Sequence, residues 1–134
     1  MEQISLPIIK VEAKLTRGEV LVEPMGVRVK PETIASEGDA TPLNMLAAGL
    51  ASCEALMFSM IAEKMDVKPT LLEVIVDAGF EIGYGMTKAR IEYRVSGLDE
   101  GVAEKIAGMV KEYCPVYRTL ERAGVELEDK VTVI

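Results

Sequence analysis

Along the first thirty residues apolar and polar side chains alternate with a period of two, as a half-buried strand requires. Ile4, Leu6 and Ile8 share one face, and a one-residue slip near Pro7, read as a bulge, hands the pattern to Ile9, Val11, Ala13 and Leu15. Thr16-Arg17-Gly18-Glu19 reads as a hairpin turn into Val20 and Val22, and Pro24-Met25-Gly26 as a second turn before Val27 and Val29. The chain therefore begins as a β meander. Residues 31–40 are rich in Glu, Ser, Gly and Asp with few apolar side chains, which predicts a loop.

The period changes at Thr41-Pro42, a pair suited to the N-cap and first position of a helix. From Pro42 to about Met65, Leu46, Leu50, Cys53, Met57 and Met60 or Ile61 recur at helical spacing, with only Gly49 interrupting. This predicts one helix of roughly 36 Å. Its other flank, with Ala47, Ala48, Ala51, Ala55 and Phe58, is apolar too, and Glu54 is the lone charge between Leu43 and Ala62. Such a helix is expected to be enclosed on all sides, by sheets or by the helices of a second subunit.

Strict alternation returns in Leu72, Val74, Val76, Ala78, Phe80 and Ile82, and after Gly83-Tyr84-Gly85 in Ala89, Ile91, Tyr93 and Val95, predicting a hairpin with one buried face. Asp99 suits the cap of a second helix carrying Val102, Ile106, Met109, Val110 and Tyr113. Pro115 ends it and opens a third helix, to about Ala123, closed by Gly124 before a terminal strand with Val131 and Val133. The order β-β-α-β-β-α-α-β makes an α+β fold with a mainly antiparallel sheet. At 134 residues, 49% of them hydrophobic, the chain is expected to form a single domain spanning residues 1–134.

Composition narrows the function. A net charge of −7 with dispersed basic residues disfavours nucleic acid as a partner. No run of 18 or more residues is uniformly apolar, and Met1-Glu2-Gln3-Ile4 lacks a basic segment followed by an apolar one, so a cytoplasmic protein with no membrane partner is expected. Amides are limited to Gln3 and Asn44, a bias seen in thermophile proteins. Abundant aliphatic residues and eight Met favour a dimer.

With no histidine in the chain, Ser-His and Cys-His nucleophilic catalysis and most catalytic zinc sites are excluded. No dinucleotide-binding or phosphate-binding glycine motif occurs, and no cofactor is expected. The remaining reactive equipment is led by two thiols. Cys114 precedes the helix-opening Pro115, where free backbone N–H groups favour a thiolate, and Arg118 one turn on would add positive potential. Cys53 lies mid-stripe on the long helix, where burial disfavours the thiolate. Either cysteine also fits the bland role of a small buried hydrophobe, and a disulfide between them is a further reading.

Two segments carry a family resemblance: Thr41-Pro42 followed by Leu46-Ala47-Ala48-Gly49-Leu50-Ala51-Ser52-Cys53, and Tyr113-Cys114-Pro115-Val116 followed by Arg118-Thr119-Leu120. Together they resemble the family of osmotically inducible protein C and organic hydroperoxide resistance protein, OsmC/Ohr. The resemblance implies an intertwined homodimer with sheets around long central helices, and an antioxidant, stress-response role in reducing organic hydroperoxides. It further implies that Cys53 is the peroxidatic thiolate, that Cys114 resolves its sulfenic acid as a disulfide, and that an external dithiol resets the pair. The family places a Glu directly after the helix-opening Pro to orient an Arg onto the thiolate. Here that position is Leu43, and Arg17 in the first hairpin turn is the nearest match to the Arg, ahead of Arg28. Glu54, pointing about 100° away from Cys53 on the helix, does not fill the missing role. The chain thus looks like a divergent branch. The rival expectation is a noncatalytic dimer of the same fold that binds a small apolar molecule, its cysteines structural or vestigial; a thiol carrier would use the same Cys53.

Overall fold

Side-chain chemistry produces nine elements in the order β1 (Glu12–Thr16), β2 (Glu19–Glu23), β3 (Val27–Val29), α1 (Pro42–Lys64), β4 (Leu71–Glu81), β5 (Gly85–Ser96), α2 (Glu100–Tyr113), α3 (Pro115–Arg122) and β6 (Glu126–Val133) among the described residues. The computed structural model describes residues 12–16, 19–23, 27–29 and 41–134, with side chains from Thr41 onward. The expected slip near Pro7 and the loop at 31–40 lie outside them. Three strands stand before α1 where the order read from sequence counted two.

Two compact units, Met1–Met45 and Leu46–Ile134, are distinguished. In the first, β1, β2 and β3 form an antiparallel sheet, and the Thr16↔Glu19 register leaves two residues for the connection, as the hairpin pattern predicts. Thr41 opens α1: its carbonyl accepts the Met45 N–H at 2.8 Å, and its hydroxyl accepts a longer bond, 3.4 Å, from the Asn44 N–H.

In the second unit β4 and β5 form the expected hairpin, while β6 lies on the far side of β5 and runs parallel to it. A parallel neighbour needs a crossover, and α2 and α3 supply it. Met86, Ala89, Ile91, Tyr93 and Val95 of β5 are buried with Ala103, Ile106, Ala107 and Val110 of α2 and Tyr117 and Leu120 of α3. Ile82, expected on the buried face, is exposed because β4 ends at Glu81 and the chain has already entered its turn.

The orientation of α1 departs from its sequence pattern. Its buried residues are Leu50, Glu54, Phe58, Ile61 and Ala62, whereas Leu46 and Met60 are exposed and Cys53 and Met57 half-buried. Both flanks are apolar, so periodicity could not choose between them. Tyr93 does: its ring packs on Phe58, centroids 5.5 Å apart and planes 32° apart, and its hydroxyl meets Glu54. Nor is α1 enclosed on all sides in this chain, since Leu46, Leu56 and Met60 face solvent. By length and composition alone it would suffice to cross a membrane; here one stripe of it packs into the core with β5.

Of the four described glycines at positive φ, two fix junctions of the fold. Gly124, at φ +88°, closes α3 through paired bonds from its own N–H to the Glu121 carbonyl and from the Val125 N–H to the Leu120 carbonyl, each 3.1 Å. Gly97, at φ +86°, turns the chain out of β5, and a Cβ there would stand 2.8 Å from the Thr70 backbone nitrogen. Gly97→Ala should therefore cost about 2 kcal/mol or more of unfolding free energy in urea titrations. A midpoint equal to wild type would contradict this.

Candidate active site

Cys114 is placed by its neighbour. A residue before proline is driven to extended backbone, so at φ −71° and ψ 116° Cys114 terminates α2 and simultaneously precedes the first residue of α3. Both of its backbone groups are satisfied: its N–H donates to the Val110 carbonyl at 2.8 Å, and its own carbonyl accepts the Arg118 N–H at 3.0 Å. The side chain thus hangs from a junction fixed on both sides, fully buried. Cys53 sits on the flank of α1, about 100° round from the core-facing Glu54, and is half-buried.

These two positions, 61 residues apart, bring the sulfurs to 2.9 Å, with the Cys114 S–H donating to the Cys53 sulfur. Both cysteines are free. The separation is beyond a disulfide bond of about 2.05 Å and inside ordinary sulfur contact, so the thiols are poised face to face.

The charge balance at Cys114 runs opposite to the sequence-based expectation. Burial pushes its thiol up to about 12, the hydrogen bond to Cys53 adds to this, the backbone N–H of Tyr117 opposes it, and the charges of Cys53 and Glu54 add further. The helix N-terminus is where it was expected, and the Tyr117 N–H is its contribution at the sulfur. Desolvation therefore outweighs the pull of the amides and keeps the proton on Cys114. Arg118 does not fold back either; its guanidinium pairs with Glu121 at 2.8 Å on the exposed face of α3.

Sequence reasoning set Glu54 aside, yet it is fully buried and accepts a hydrogen bond from the Tyr93 hydroxyl. Its other oxygen, Oε1, has no partner among the described residues. Burial raises the carboxyl to about 7, against the Tyr93 bond; Asp129 raises it further and Lys111 lowers it. Tyr93 is itself raised, by burial first and then by Glu54. Asp129, also raised by burial, takes a long bond of 3.5 Å from the Tyr117 hydroxyl and has one buried oxygen, Oδ2, without a partner among the described residues. Burial raises Tyr117 as well. The signal for this network was present in sequence: a tyrosine at an inward-facing strand position must find its hydroxyl a partner. What was missing was the partner's address.

Of the residues singled out from sequence, Cys53 and Cys114 meet. Arg17 lies outside the described residues, as does the side chain of Arg28. Leu43, at the position of the family glutamate, is half-buried.

The family model described as OsmC-like protein matches residues 35–129. The chain belongs to the OsmC-like family. Among solved structures, this OsmC-like chain is similar to an OsmC-like protein from Mycoplasma pneumoniae, at 17% identity over 96% of this chain and 98% of that one, with a TM-score of 0.81. It is similar too to an organic hydroperoxide resistance protein OsmC from Legionella pneumophila, at 20% identity over 96% and 99% of the two chains, TM-score 0.74. The organic hydroperoxide resistance protein OhrB of Bacillus subtilis gives 19% identity over 96% and 100%, TM-score 0.68. At such identities the likeness establishes the α+β OsmC-like fold. No functionally curated protein matches the OsmC-like chain.

Proposed function

We propose that this protein is a thiol-dependent peroxidase of the OsmC-like family that reduces organic hydroperoxides, with Cys53 as nucleophile, Cys114 as resolving thiol and Arg17 as activator. The observation that carries the reading is the 2.9 Å approach of the two sulfurs, one half-buried, the other fully buried. The role of Arg17 rests on the family resemblance alone.

In the first step the Cys53 thiolate attacks the terminal oxygen of the hydroperoxide. An S–O bond forms, the O–O bond breaks, and the departing alkoxide takes a proton to leave as the alcohol; Cys53 becomes a sulfenic acid. In the second, Cys114 sulfur attacks Cys53 sulfur, the S–O bond breaks, and hydroxide leaves with the Cys114 proton as water. An external dithiol then exchanges with the disulfide, is oxidised in turn, and restores both thiols. The need for such a dithiol fits a cytoplasmic setting. The exposed Leu46, Leu56 and Met60 fit the expected homodimer, which would cover them.

The test is a stoichiometric addition of cumene hydroperoxide with free thiols counted over time, in wild type and Cys53→Ser. Wild type should lose both thiols to an intramolecular disulfide, while Cys53→Ser should keep its remaining thiol. Wild-type thiols that survive as long as an unactivated cysteine would defeat the peroxidase reading and favour the noncatalytic apolar-ligand dimer, to which Leu43 in place of the family Glu already points.

A further inference from the structure

Facing each other at 2.9 Å and both free, Cys53 and Cys114 form a two-sulfur clamp whose ends come from different elements, α1 and the α2–α3 junction. What such a clamp can hold is decided by the number of bonds it offers and by its span. Among the described residues no group of three or more Cys, His, Asp or Glu is placed to hold a metal ion, so a guest must complete its own valence beyond the two sulfurs. The span is equally selective. With sulfur bonds of about 2.3 Å, as to zinc, a linear ion needs its sulfurs about 4.6 Å apart and a tetrahedral one about 3.8 Å, whereas a pyramidal centre with angles near a right angle needs only about 3.3 Å. Trivalent arsenic is such a centre: soft, three-coordinate and pyramidal. In monosubstituted form it brings its third bond, to carbon, with it.

We propose that Cys53 and Cys114 form a binding site for monosubstituted trivalent arsenicals, compounds of the type R–As=O, held through two As–S bonds with the organic group seated on α1 over Gly49. Gly49 lies four residues before Cys53 and so shares its face of the helix. Side chains on a helix lean toward its N-terminus, which carries the Cys53 sulfur over the turn that contains Gly49. A Cβ at Gly49 would meet nothing within 4 Å, so this turn leaves open space beside the thiol. Leu46, one turn earlier on the same face, is exposed and supplies an apolar edge.

Capture is a condensation without electron transfer. Cys53 sulfur and then Cys114 sulfur attack arsenic; two As–S bonds form, the As–O bonds break, and the two thiol protons leave on the oxygen as water, with arsenic trivalent throughout. The proton that burial keeps on Cys114 is therefore no obstacle, since it departs with the oxygen. The second bond closes within one molecule, where the neighbouring thiol is present at high effective concentration. Cys114 hangs from a junction whose backbone bonds are made on both sides, so the few tenths of an ångström by which the sulfurs must part fall to the half-buried Cys53. The adduct and the disulfide exclude one another, because each uses both sulfurs.

The experiment treats reduced full-length protein with one equivalent of phenylarsine oxide, counts free thiols, weighs the intact chain, and then challenges the adduct with mercaptoethanol or with dimercaprol. Wild type should lose both thiols, gain one phenylarsenic unit with loss of water, keep it in excess mercaptoethanol and release it to dimercaprol. Cys53→Ser and Cys114→Ser should hold the reagent on the order of 100-fold more weakly and surrender it to mercaptoethanol. Gly49→Leu, checked for folding by circular dichroism, should weaken capture of the phenyl compound more than that of its methyl counterpart. A wild type that keeps either thiol, or single-cysteine variants that retain the adduct as firmly as wild type, would overturn the site; equal capture of both compounds by Gly49→Leu would overturn the seat on α1. The proposal needs only the reduced pair and no hydroperoxide, so thiols inert to cumene hydroperoxide would end the peroxidase reading and leave this outcome standing.

Discussion

Cys114→Ser protein should consume one equivalent of organic hydroperoxide per chain in forming its sulfenic acid, a second only as that acid over-oxidises, and then stop, with or without a dithiol that acts only on disulfides. The nucleophile is intact, so the first S–O bond still forms; without a second sulfur at 2.9 Å no disulfide follows. The trapped sulfenic acid should label with dimedone and, in excess peroxide, proceed irreversibly to sulfinic acid. Wild type with the same dithiol should turn over repeatedly. The substitution is suited to the test because a serine at this junction retains the backbone bonds to Val110 and Arg118 and is a favoured residue before a helix. Sustained turnover by Cys114→Ser, measured as hydroperoxide consumed per chain, would show that Cys114 is not the resolving thiol.

Stability should be greater at pH 5 than at pH 8, the reverse of the common acid sensitivity of proteins. The unfolded chain releases the Glu54 proton around 4.5, whereas the folded chain holds it to about 7. Between those values the native state binds more protons than the unfolded state, so unfolding free energy falls as pH rises. The contribution is fully present below about 4.5 and gone above about 7. At about 1.4 kcal/mol per pH unit it amounts to about 3 kcal/mol. Asp129, also raised by burial, acts in the same direction. Urea unfolding at the two pH values reads the effect, and Glu54→Gln should remove most of the difference. Equal wild-type stabilities at pH 5 and pH 8 would mean that Glu54 is not buried as described.

The elements from α1 onward were legible because each is bounded by residues with strong local preferences. Pro42 opens α1, Pro115 separates α2 from α3, Gly124 ends α3 in a left-handed turn, and the Gly83-Tyr84-Gly85 connection joins β4 to β5. Such signals act within a few residues and need no knowledge of what lies across the core. The parallel alignment of β6 with β5 was not legible, because strand direction depends on where the α2–α3 crossover delivers the chain.

The two cysteines could be nominated from residue inventory and family resemblance, and the sequence determined the local setting of one: a pre-proline position that stops one helix and starts another. It did not determine that setting's effect. Proximity to a helix N-terminus favours a thiolate within the first turn, but burial is a property of the whole packed core, and at Cys114 the cost of desolvation is the larger. The same holds for α1, whose two flanks are nearly equal in apolar content. Only the packing of Phe58 and Glu54 against Tyr93 chose which flank turned inward, leaving Cys53 on the edge of the core within reach of Cys114. Short-range chemistry wrote the elements and supplied the thiols; long-range packing decided which thiol keeps its proton and which carboxyl is buried.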